Sequence, residues 1–126
     1  MARKNVLLYQ LLKAQSLSTS FTSPVTSIRY GDNVSYQINI TTTDSTGSFV
    51  VEASDDYSVT ADNVIVNPGN WVTLTLSGSP TVAATNDIIG ISMTQLPYLA
   101  IRLRYVSSTP GTGVCDAFIT SKEIGG

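Results

Sequence analysis

Histidine is missing from this chain of 126 residues, which removes the commonest general base and the commonest metal ligand. One cysteine, Cys115, excludes an intramolecular disulfide framework. With no imidazole available, it cannot contribute to a zinc site of the Cys/His kind either. Charge is sparse: 13% of the residues are Asp, Glu, Lys or Arg, against about 25% in an average soluble domain. The seven cations are scattered among nine acids, so no basic stripe marks a nucleic-acid surface. There is no P-loop and no dinucleotide glycine fingerprint. No apolar run approaches the roughly 18 residues of a membrane-spanning helix. The opening MARKNVLLYQLL is basic and then apolar, but Gln10 and Lys13 interrupt it and no convincing cleavage site follows. The expectation is a protein made and folded in a reducing cytoplasm, with no cofactor, no metal, no nucleic acid and no membrane as its partner.

What is present is Ser and Thr, about a quarter of the chain, together with 42% apolar residues. That apolar content is too high for a disordered Ser/Thr-rich segment, and the length suits one domain. A net charge of −2 leaves little self-repulsion, so neutral, hydroxyl-rich surfaces of this kind tolerate close approach to copies of themselves.

Strict period-2 alternation supplies the fold class. Val34, Tyr36, Ile38 and Ile40 share one face of an extended segment, with Ser35, Gln37 and Asn39 on the other. The pattern returns at Leu99, Ile101, Leu103 and Tyr105, at Val72, Leu74 and Leu76, and at Ile89, Ile91 and Met93. Seven or eight short strands predict an all-β protein, a single antiparallel β-sandwich for which a jelly roll is one available connectivity. Residues 24–126 would form the sandwich, and residues 1–23 an extended N-terminal arm or a first strand. Leu7, Leu8, Leu11 and Leu12 would also share a helical face, but no cap precedes them and the run is short for a helix. Asp44-Ser45-Thr46-Gly47 reads as the turn of a hairpin joining the strands at 34–40 and 48–54, with Gly47 supplying a positive φ. Residues 55–70 read as a polar excursion with one short strand, and the Ser/Thr/Pro/Gly run at 107–113 as the turn of a C-terminal hairpin.

The carboxylates Glu52, Asp55, Asp56 and Asp62 are the candidates for acid chemistry or for a Ca²⁺ site, but Asp and Asn in loops more often hydrogen-bond local backbone. Arg102 and Arg104 share a strand face about 7 Å apart, where Asp116 or Glu123 across the C-terminal hairpin could pair with them. Cys115 alternates with Ala117 and Ile119 and reads as a small buried residue. Trp71 lies opposite the aliphatic face of its strand, where it could stack a sugar or close the edge of the core.

The segments FVVEASDDY, NPGNW, LPYLAIRLRY, the Thr-Pro-Gly-Thr-Gly turn and DAFITSKEIGG together resemble small Ser/Thr-rich β-sandwich virion proteins of tailed bacteriophages, over residues 34–126. The resemblance implies a structural protein of the particle and not an enzyme, assembled in the host cytoplasm and resident in the virion. It further implies a head decoration or cement protein contacting the major capsid protein or other virion proteins, and copies of itself as a homo-oligomer. On that reading the partner-binding residues are Arg3, Lys4, Val6, Leu8 and Leu12 of the arm, Trp71, and the turn residues Thr109, Pro110 and Gly111. Deleting residues 1–15 is expected to leave a folded domain. The alternative is a tail or fibre-associated module that recognises host-surface carbohydrate through Trp71 and nearby tyrosines.

Overall fold

The computed structural model describes residues 4–27, 33–62, 64–74, 80–94 and 98–124, with twelve strands and no helix among them. The strands are β1 (Lys4–Ser16), β2 (Phe21–Thr22), β3 (Thr26–Ser27), β4 (Asn33–Thr41), β5 (Thr46–Ser54), β6 (Ser58–Val59), β7 (Ile65–Asn67), β8 (Val72–Thr73), β9 (Thr81–Ala83), β10 (Asp87–Thr94), β11 (Ala100–Thr109) and β12 (Val114–Ile124). One sheet has the order β1-β12-β4-β10. The other has the order β2-β11-β5-β8, with β3 also on β11 and β9 also on β5. Taking β2 with β3 and β8 with β9 as interrupted single strands leaves four strands per layer, and the chain changes layer at nearly every connection. That is jelly-roll connectivity, two interlocked Greek keys.

The alternation seen in the sequence fills the space between the layers. Val34, Tyr36, Ile38 and Ile40 meet Ile89, Ile91, Met93, Cys115, Ala117 and Ile119 on one side, and Phe49, Val51, Ala53, Ile101, Leu103 and Tyr105 on the other, all buried. Phe49 and Tyr105 have ring centroids 4.9 Å apart, and Phe21 from β2 stacks on Tyr105 at 5.3 Å. Cys115 is the small buried residue its spacing implied, and burial pushes its thiol up to about 12.

Two expected hairpins are absent. Strand β4 bonds to β12 and β10, whereas β5 bonds to β11, β8 and β9, so residues 42–45 carry the chain from one layer to the other. Likewise β11 and β12 lie in different sheets, and the Pro110–Gly113 turn is a crossover. Short turns between consecutive strands suggested pairing, but in a sandwich a short turn can equally fold a strand across the core. Gly47 is not at a positive φ. It is required by proximity: a Cβ there would overlap the Tyr105 hydroxyl and lie 2.5 Å from the ring carbon bearing it.

The two crossovers are braced against each other by hydroxyl groups. Ser45, fully buried, accepts from the Gly113 N–H at 3.1 Å, and its own N–H donates to Thr42 Oγ1 at 2.9 Å. The Asp44 carboxylate accepts from the Thr112 N–H at 3.0 Å, a bond that leads in holding its pKa below the ordinary value. The Thr42 and Ser45 hydroxyls therefore help to close this corner.

The leading segment is a strand. From Lys4 to Ser16 it pairs antiparallel with β12, interrupted by register shifts around Leu12, and Leu11, Leu12 and Leu17 enter the core.

Candidate functional site

Inward positions of β5 and β11 belong to the core, so the intervening residues face outward. Glu52 on β5 stands directly opposite Arg102 on β11. The Arg102 Nε donates to Glu52 Oε1 at 2.8 Å, and Arg104, two positions on, approaches the other carboxylate oxygen at 3.7 Å. Asp116, the partner expected for these arginines, lies in the other sheet, where it accepts instead from the Ala14 N–H at 2.7 Å. Glu123, the second expected partner, has a side chain outside the described residues. The Arg102 guanidinium also sits over the Trp71 ring, 4.1 Å from its centroid, and Tyr57 packs beside the indole at 5.7 Å. Tyr57, Trp71, Arg102, Arg104 and Glu52 thus form one continuous patch on the outer face of this sheet.

The chain between β5 and β8 is anchored on that patch. The buried Ser54 hydroxyl donates to Asp56 Oδ1 at 2.7 Å and accepts from the Tyr57 N–H at 3.2 Å. Asp56 in turn accepts from the Asn70 backbone N–H at 2.7 Å and from its side-chain amide at 2.8 Å. The Asn70 backbone bond, then the Ser54 and Asn70 side chains, lower the Asp56 pKa to about 2. Trp71 Nε1 donates to the Pro68 carbonyl at 3.0 Å, and Gly69 turns the chain at φ 81°, where a Cβ would press on Ser54 Oγ. On the far side Asp55 accepts from the Leu99 N–H at 3.2 Å. The two ends of residues 56–70 are clamped together.

From this clamp projects a two-stranded ribbon, β6 paired with β7. The sequence suggested one short strand here, and there are two. Val59 stands opposite Ile65 beside a register shift in the pairing, and along β7 Ile65 and Val66 point to opposite faces, with Val64 just outside the strand. All four are wet: 42% exposed at Val59, 60% at Val64, 57% at Ile65 and 66% at Val66. Beside the base, Val72 and Leu99 are exposed as well.

Other site residues inferred from the sequence are not gathered here. Thr109, Pro110 and Gly111 sit at the opposite end of the sheet from the ribbon, since β5 and β11 run antiparallel. Leu12 is buried in the chain's own core and is not offered to a partner. Lys4, Val6 and Leu8 lie on β1 with side chains outside the described residues, and Arg3 is outside them altogether. Among the described residues no three His, Cys, Asp or Glu side chains assemble as metal ligands, and Asp56 is engaged by Ser54 and Asn70. The exposed ribbon was missed because its apolar residues occur as short beads in an Asn/Asp-rich stretch, which reads as loop.

No family model matches the chain, and no curated protein matches it. Its fold is found in solved structures. The SPBc2 prophage-derived protein YomS is similar over 94% of this chain and 96% of its own, with a TM-score of 0.55 and 11% identity. A chain of infectious bursal disease virus, Gx strain, is similar over 98% of this chain, also with a TM-score of 0.55, at 14% identity. A chain of the T=1 particles derived from infectious bursal virus matches with a TM-score of 0.51 at 14% identity, over 99% of this chain. This chain spans about a third of each of the two viral chains. At such identities the likeness is one of fold.

Proposed function

We propose that this protein is a structural component of a bacteriophage particle, a head decoration or cement protein that attaches to the shell. The observation that carries the proposal is the β6–β7 ribbon: apolar on both faces, exposed, and held rigid at its base by Asp56, Asn70 and Trp71. An isolated two-stranded ribbon is marginal in water, and one that keeps valine and isoleucine wet on both faces gains stability when a partner covers it. The fold shared with a prophage-derived protein and with chains of virus particles supports the particle as the setting. Repetition on a shell then supplies avidity, so a weak single contact suffices. The reading requires no catalysis, and the carboxylates fit it: Glu52 is ion-paired and Asp56 is occupied by the clamp. A carbohydrate platform at Trp71 is disfavoured, because Arg102 covers a face of the indole on which a sugar would stack.

The test is co-sedimentation with shells assembled from the major capsid protein of the same phage. Wild type should pellet with the shells, and Val64→Asp with Val66→Asp should abolish pelleting while the far-UV spectrum is unchanged. Undiminished pelleting of that variant, or failure of wild type to bind any shell, overturns the proposal. A glycan array probed with wild type and Trp71→Ala should show no Trp71-dependent sugar.

A further inference from the structure

The four-stranded sheet ends on two long edges that differ in kind. Strand β1 carries the devices by which natural edges avoid pairing with other chains: register shifts either side of Leu12, a left-handed Ala14 at φ 47°, and the exposed Lys13. Strand β10 has none of them. Its register with β4 is unbroken from Asp87 to Thr94, and it contains no proline and no charge beyond Asp87. Among the described residues no strand lies on its other side. Its outward positions are open: Ile88 is 68% exposed, Gly90 and Ser92 are exposed, and a Cβ built on Gly90 would meet nothing within 4 Å. Its inward residues Ile89, Ile91 and Met93 keep some exposure on their open flank, where Ile38 of the adjacent strand has none.

We infer that β10 is the interface with a second copy of this chain, pairing antiparallel with its own counterpart across a two-fold axis at Ile91. The inference rests on the reading of the protein as an assembly component and names a partner for it. The second copy is favoured because the strand is self-complementary. With Ile91 opposite its counterpart, Ile89 faces Met93 and Gly90 faces Ser92. The inward pairs are all apolar and the outward ones uncharged, so the strand paired with itself opposes nothing that repels its like. Asp87 lies beyond the last of these pairs, so no carboxylate opposes its like. The two four-stranded sheets become one of eight, and both apolar flanks are covered. Main-chain hydrogen bonds carry such an interface, and they are little weakened by salt.

Sedimentation velocity of the full chain tests it directly. Wild type should be a dimer. Gly90→Lys with Ser92→Lys places lysines in two opposed pairs across the axis and should weaken dimerisation roughly ten-fold or more. Both positions are exposed, so the thermal midpoint should be retained. Independently of that variant's folding, Gly90→Cys mixed with Ser92→Cys should form a cross-linked dimer on oxidation, while the buried Cys115 stays reduced. A monomeric wild type, a dimer indifferent to the two lysines, or no cross-link in the mixture overturns the inference. Shell binding separates this from the proposed function: a monomer that coats shells defeats the β10 pairing alone, and a β10-paired dimer that ignores shells defeats the particle role alone.

Discussion

Arg102 is held between Glu52, whose carboxylate it meets at 2.8 Å, and the Trp71 ring 4.1 Å from its guanidinium carbon. One side chain from β11 thereby ties β5 to the flank of β8 and fixes the platform from which the exposed ribbon rises. Glu52 is almost fully buried, whereas Arg104 has a side chain 49% exposed and only a 3.7 Å approach to the same carboxylate. Glu52→Ala leaves two guanidinium groups side by side and is expected to lower stability by about 1–3 kcal/mol. Arg104→Ala should change it by less than about 1 kcal/mol. Urea unfolding of the two variants checks the contrast.

Gly47 lies under the Tyr105 ring, and a methyl group there would also lie 2.6 Å from the Val106 carbonyl oxygen. Gly47→Ala should cost about 1–3 kcal/mol through overpacking. Tyr105→Phe loses the hydroxyl's bond to the Thr46 carbonyl, 3.1 Å long, but also opens space above residue 47. The double variant should therefore be less destabilised than the two single effects added together, which a double-mutant cycle in chemical denaturation would reveal.

These two sites mark what the sequence made legible. Alternation located the long strands and the residues between the layers, because a sheet with one face wet must alternate. It could not say which strands pair, since a turn such as residues 42–45 has the same composition whether it closes a hairpin or crosses the core. Gly47 reads as a turn glycine for that reason, whereas its role is to admit Tyr105. Trp71 was recognised as lying off the aliphatic face, but its company, Arg102 and Tyr57, depends on β5 and β11 being neighbours. The ribbon was hidden because strands of two and three residues carry too few positions to show a period.

The clamp makes the ribbon's order depend on pH. Asp56 has its pKa lowered from 3.8 to about 2 by hydrogen bonds that the carboxylate accepts more strongly than the neutral acid, the Asn70 backbone bond first. Its contribution is complete above the unfolded value and fades as pH falls through about 2. Asp44, lowered in the same sense at the opposite end, adds to the acid lability. Hydrogen exchange should show the amides of Val64 and Asn70 losing protection as the solution is acidified, ahead of those in β5 and β11. Asp56→Asn should show the early loss already at neutral pH, with the strand amides unaffected.

Cys115 is 1% exposed and its thiol is pushed up to about 12, first by burial and then by the Asp116 charge. Thiolate is the reactive form. A thiol reagent should modify the native protein only as fast as the sandwich opens, and addition of denaturant should raise that rate to the value for an unstructured cysteine.

Strand β1 is the first-strand alternative for the leading segment, and its pairing bears on the expectation that residues 1–15 can be deleted. It lines β12 from Lys4 to Ser16 and brings Leu11 and Leu12 to the core, while the Leu17 N–H donates to the Gly113 carbonyl at 2.9 Å. Removing residues 1–15 would strip a strand from the sheet, expose the edge of β12, and open the layer over Cys115 and Ala117. Burying two leucines contributes about 3–6 kcal/mol, a large part of the stability of a domain this size. The truncated chain should therefore be unfolded or aggregated by circular dichroism and light scattering, where a free arm would have left a monomeric fold intact. A well-folded truncation would mean that the β1 pairing contributes little, and would return the leading segment to the role of a detachable arm.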